Sequence, residues 1–156
     1  MVRVGHCDAL LASLSGPCDR CPMDPAKVDA TQIRSGNVRV SRAEFLAVWD
    51  ESGRRQTGPG EHEPVDWYVG AVVQTCRWVA AVPMRTALCG GLPRSPVTGR
   101  ACLAYEASIE AEWQAAQDQS FSDEFAGRPG WRDGVLATLR WAWCCQGPPP
   151  LEAPAA

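Results

Sequence analysis

From Val65 to Met84 the only strongly polar side chains are Asp66, Gln74, Thr75 and Arg77. A helix over such a stretch is apolar around most of its circumference, which suits only the middle of a protein core or a bilayer. The run is marginal in length for a span, and Arg77 would sit close to mid-bilayer at a cost of roughly 2.5 kcal/mol or more. The stretch therefore predicts a central, buried helix from Asp66 to Val82, with no membrane association, that the rest of the chain must surround.

The chain has 156 residues, 46% of them hydrophobic and seven of them tryptophan, enough for one packed domain. Asp8 reads as the cap of a short helix with Leu10, Leu11 and Leu14 inward. Asp24-Pro25 reads as N-cap and first position of a second helix, with Val28 and Ile33 inward and Gly36 as its stop. Asn37 to Val40 is an extended link, and Ser41-Arg-Ala-Glu44 is a capping box opening a third helix with Phe45, Leu46 and Trp49. Residues 51–63, with Gly53, Gly58, Pro59 and Gly60, are the most loop-like internal segment.

Beyond the central helix, Pro83 and Cys89-Gly-Gly-Leu-Pro-Arg-Ser-Pro form a long connection. A helix over about 100–118 places Cys102, Tyr105, Ile109, Trp113 and Ala116 on one stripe, and a last helix runs from Trp131 to Cys145. The predicted fold is mainly α, about five helices, with a small cysteine-bearing N-terminal subdomain packed on a helical bundle. Its expected divisions are 1–50, the 51–63 loop, a 64–147 bundle and a mobile 148–156 tail beyond a single 1–147 domain.

The chemistry-bearing spacing lies near the start: His6-Cys7, then Cys18-Asp-Arg-Cys21. Two thiols two residues apart can point at one metal ion, with Cys7 or His6 as a third ligand and His62 or Cys89 among candidates for the fourth. Such a site would be a structural zinc, stapling small helices that have little core of their own. The same Cys18/Cys21 pair also fits a redox CxxC, with Arg20 near the thiolate, although no strand precedes it and Pro22 and Pro25 follow. Two turn cysteines with no shared partner is the third reading. Scattered Cys76, Cys89 and Cys102 read as small buried apolar residues. Of Cys144-Cys145, at the end of the last helix, one side chain is expected buried and the other peripheral.

Glu61-His62-Glu63 reads as a solvated charge run, since no nucleophile can be paired with it. The chain has no phosphate-binding glycine loop, no HExxH, no GxSxG and no dinucleotide fingerprint. A net charge of −3 gives no bulk attraction to nucleic acid or anionic lipid.

Trp67-x2-Gly70-x4-Thr75-x-Arg77-Trp78 is echoed by Trp131-x2-Gly134-x3-Thr138-x-Arg140-Trp141. The echo suggests two crossed or antiparallel helices meeting at their glycines, although the one-residue gap turns half of one motif by about 100° relative to the other. That mismatch makes coincidence in a Trp- and Arg-rich sequence the safer reading.

Thr31-Gln-Ile-Arg-Ser-Gly-Asn-Val-Arg-Val-Ser-Arg-Ala-Glu-Phe45 locally resembles excisionase-type winged helices, without the hairpin between the two halves. That resemblance implies DNA contact by Arg34, Arg39 and Arg42. The reading that the whole sequence favours is a non-enzymatic, cytoplasmic protein-interaction or regulatory domain with an unidentified protein partner. Its partner surface is expected on surplus exposed tryptophans or the Pro-rich tail. A DNA-binding accessory protein and a thiol-dependent redox enzyme are the alternatives.

Overall fold

The computed structural model describes residues 25–57, 65–81, 91–118, 125 and 127–153. Four helices carry it: α1 (Arg42–Thr57), α2 (Trp67–Val79), α3 (Glu106–Gln117) and α4 (Trp131–Ala142). Among the described residues the β pairing is confined to one antiparallel bridge between Arg94 and Ala101. The mainly helical expectation holds. The expected short helix after Asp8, the CxxC and Asp24, and with them the expected cysteine-bearing N-terminal subdomain, lie outside the described residues.

α2 is the central helix. Asp66 caps it by accepting the Val69 N–H at 3.1 Å, and nine of its residues, from Val69 to Val79, are buried. Its tightest neighbour is α4. Gly134 lies against the backbone of Tyr68, so close that a Cβ there would stand 2.6 Å from the Tyr68 carbonyl oxygen and 2.9 Å from the Ala71 Cβ. At the same end Trp67 and Trp131 meet edge to face with ring centroids 6.3 Å apart. At the other end Asn37 Nδ2 donates to the Val79 carbonyl and the Arg39 N–H donates to the Ala142 carbonyl. One short segment thus ties both C-terminal ends, and α2 and α4 run parallel. The echoed motifs do sit on packed helices, but these run in the same direction and are not antiparallel.

α1 runs against this pair. Phe45, in its first turn, stacks on Trp141 near the end of α4 at 6.2 Å, and Gln56, in its last turn, reaches Gly70 near the start of α2. α3 is antiparallel to α4, because Arg132 in the first turn of α4 donates to the Ala116 and Gln117 carbonyls ending α3. The cation also complements the negative end of that helix. The order is therefore up, down, up, down, with Phe45, Trp49, Trp78, Ile109, Val135 and Leu139 fully buried between the helices. Each buried indole removes roughly 150–250 Å² from water.

Several sequence expectations are corrected. The second helix is replaced by two 3-10 turns, Pro25–Lys27 and Ala30–Gln32. Asp29 Oδ1 accepts from both the Thr31 N–H and its hydroxyl, a local bond that competes with helix propagation. Ile33 is nonetheless buried and Val28 packs on the core, as the pattern required.

Residues 51–57 are not loop. They continue α1, where Arg54 pairs with Asp50 and Glu51, and Arg55 pairs with Glu51. The guanidinium of Arg55 holds the Glu51 carboxyl below its usual range, and pairs at these spacings stabilise helix. α3 begins at Glu106 instead of near 100, because the Ser108 hydroxyl accepts the Tyr105 N–H at 2.8 Å and ends the extended stretch there. Tyr105, expected on the buried stripe, is exposed.

The tail does not leave the fold at 148. Tyr68 donates its hydroxyl proton to the Pro150 carbonyl, Arg55 donates to the Glu152 carbonyl, and Leu151 and Ala153 pack on the core. No described helix is long and apolar enough to cross a membrane.

Candidate functional site

His6, Cys7, Cys18 and Cys21, the candidate zinc ligands, lie outside the described residues, as do His62 and Cys89. Among the described residues no three His, Cys, Asp or Glu side chains gather to hold a metal ion.

Of the described thiols, Cys76 is wholly enclosed in α2, and burial pushes its pKa far up. Burial also raises Cys102 and Cys144. These three are protonated at neutral pH, the state of inert thiols, not nucleophiles. Cys144 is half-buried and Cys145 exposed.

The three arginines of the 31–45 segment are engaged within the fold. Arg42 donates from Nε and Nη2 to the Ile33 carbonyl, a half-buried brace. Arg39 pairs with Glu106 at 3.4 Å and lies over the Trp143 ring. Arg34 lies over Tyr105, 4.3 Å from the ring centroid. Between them Asn37, 2% exposed, bridges the Val79 and Ala104 carbonyls. The segment acts as a clasp across the ends of α2, α3 and α4. Its hairpin is absent here as in the sequence, with a turn at 35–37 in its place.

None of the seven tryptophans is fully exposed. Trp49, Trp78 and Trp141 are buried, and Trp67, Trp113, Trp131 and Trp143 are half-buried.

A cleft of about 480 Å³ opens elsewhere, between the 94–99 turn, Gln74 of α2 and the residues leading into α4. The turn is built before it is used. Arg94 bridges Ala101, the Ser95 N–H donates to the Arg100 carbonyl, and Gly99 takes a positive φ of 64°, a conformation that glycine adopts without a Cβ penalty. Behind the turn stands Glu112 of α3, only 3% exposed. One carboxylate oxygen accepts the Val97 and Thr98 N–H groups at 2.8 and 3.1 Å, and the other accepts the Thr98 hydroxyl. A buried carboxylate is tolerable only when its oxygens are satisfied in this way.

The cleft face is then pinned to the bundle. Gln74 Nε2 donates to the Arg94 carbonyl at 3.1 Å, and the Trp131 indole N–H donates to the Pro96 carbonyl at 2.9 Å. Arg94 Nη1 donates to the Gly99 carbonyl at 3.0 Å, which fixes that guanidinium beside the opening. Arg128, also on the lining, has its guanidinium carbon 5.4 Å from both the Trp67 and Trp131 ring centroids. Stacking over indoles orients a guanidinium and leaves its N–H edge for an acceptor.

Among the described residues the lining contains two guanidinium groups and no Asp, Glu, His or Cys. Neither Arg94 nor Arg128 forms an ion pair among the described residues. The arrangement can hold an anion. Sequence reasoning passed over it, because Arg94 and Arg128 are 34 positions apart in loops. The local signal was Arg94-Ser-Pro-Val-Thr-Gly99, a turn composition read only as part of a connection. Comparison with protein-family models finds no match, and no curated protein and no solved structure shows significant similarity to the chain.

Proposed function

We propose that the chain is a non-enzymatic protein-interaction or regulatory domain that grips an acidic segment of a partner in the cleft beside Arg94 and Arg128. The observation that supports this reading is one cleft whose described lining carries two guanidinium groups, one held by the Gly99 carbonyl and one over two indoles, and no carboxylate. Arginines held in this way favour bidentate recognition of carboxylate or phosphate. The test is fluorescence anisotropy with a labelled oligoglutamate peptide at low ionic strength. Saturable binding that weakens with salt and is lost on Arg94→Gln with Arg128→Gln is expected. Equal binding by parent and double variant would sink the reading.

The DNA-binding alternative rests on the sequence resemblance of 31–45, and the zinc staple on the spacing of Cys7, Cys18 and Cys21 with His6. Retention of a labelled DNA duplex, compared with Arg39→Ala/Arg42→Ala, decides the first. Metal content of protein prepared without chelator, with and without Cys18→Ser, decides the second.

A further inference from the structure

We infer that the cleft selects a phosphate monoester carried on an apolar or aromatic group, which on the reading above is a phosphorylated side chain of the partner segment. Two features support the dianion over a single carboxylate. Arg94 and Arg128 both line a space of about 480 Å³, within the range of small-ligand sites. One carboxylate satisfies one guanidinium fork and leaves the second charge uncompensated. A phosphate monoester brings about −1.5 to −2 charge at neutral pH and three acceptor oxygens, enough for both forks.

The remaining surface explains the group that carries the phosphate. Pro96, Val97, Phe125 and Trp131 line the same cleft with apolar area. The hydroxyls of Ser95 and Thr98, 3.0 Å apart, bond to each other, and Thr98 also bonds to Glu112. The turn is thus held by its own contacts, and the arginines are left as the charged donors of the opening. Glu112 directs both oxygens at the turn from behind.

The experiment titrates the full chain at pH 7.5 and low salt with phenyl phosphate, benzoate and inorganic phosphate, following the Trp131 indole N–H by NMR. Phenyl phosphate is expected to shift that resonance saturably, at least tenfold more tightly than benzoate or inorganic phosphate. Arg94→Gln and Arg128→Gln are each expected to weaken it at least tenfold, while Arg140→Gln, exposed at the opposite end of α4 from Trp131, leaves it unchanged. Arg128 also braces two indoles, so the Arg94→Gln result decides if Arg128→Gln fails to fold. No saturable shift, equal affinity for benzoate, or equal affinity in Arg94→Gln overturns the inference. A short phosphotyrosine peptide that does not bind where phenyl phosphate does overturns its partner-segment half. If phenyl phosphate fails while oligoglutamate still binds through Arg94 and Arg128, this inference falls and the interaction reading stands. Loss of both probes removes both.

Discussion

Gly70 and Gly134 hold matching places in the Trp-Gly-Thr-Arg-Trp echo, yet their surroundings differ. At Gly134 an added methyl would press on the Tyr68 carbonyl at 2.6 Å and the Ala71 Cβ at 2.9 Å, backbone and short side chain of α2 that cannot swing aside. At Gly70 the nearest atoms, on Gln56 and Trp131, are 3.6 Å away, an ordinary contact. Gly134→Ala should therefore force α2 and α4 apart and destabilise by about 1–3 kcal/mol. Gly70→Ala should be neutral or stabilise by up to about 1 kcal/mol through helix propensity. Urea unfolding of the two variants checks this, and effects of the same sign and size would refute the packing account. Thr75 and Thr138 do behave alike, each donating its hydroxyl to the carbonyl four residues back at 2.7 Å. The echo was visible as letters; which glycine carries the close approach was not, because that depends on the direction in which the second helix passes. Asn37, the chain's single asparagine, was likewise visible only as composition until Val79 and Ala104 were brought to it.

Among the elements, α2 was the most legible, since a helix apolar on nearly all sides has one place to go. Its observed span, Trp67–Val79, falls inside the expected one. α1 shows the opposite lesson. The glycine and charge content of 51–57 suggested loop, but the i,i+3 and i,i+4 pairing of Asp50, Glu51, Arg54 and Arg55 carries the helix on. Between α2 and α3 the 94–101 turn depends on a residue eleven positions beyond it, Glu112. Glu112→Ala would strand the Val97 and Thr98 N–H groups, costing about 1–3 kcal/mol. It should also speed hydrogen exchange at those two amides at least tenfold, while amides of α2 change little. Glu112→Gln, which keeps one acceptor oxygen, should do less. Unchanged exchange in Glu112→Ala would show that the turn stands without its carboxylate. Glu112 lies three residues after Ile109 and four before Ala116, on the buried face of α3. Only the return of the turn over α3 supplies the donors that its carboxylate needs there.

At the scale of the whole molecule, α1 to α4 alternate in direction around the parallel contact of α2 with α4, and the chain from Gly147 to Ala153 folds back toward α1 and α2. This closed interior has a pH consequence. Burial raises the pKa of Cys76, Cys102, Cys144 and Tyr68 above their ordinary values. Below about pH 8.5 both folded and unfolded chains keep these thiols protonated, so stability is unaffected. Above it the unfolded chain releases protons that the folded chain retains, and stability falls as pH rises. Urea midpoints measured from pH 8 to 10.5 should decline, and Cys76→Ala should flatten the decline; an identical slope in both proteins would count against Cys76 as a source. By itself the sequence determined the helical class, the central place of α2 and the apolar faces of Phe45, Trp49 and Ile109, because hydrophobic periodicity is a local property of the chain. Only the tertiary structure decided the parallel pairing at Gly134, the burial of Glu112 and the cleft between Arg94 and Arg128. Each of these joins residues far apart in sequence, whose partners are set by where the helices pack.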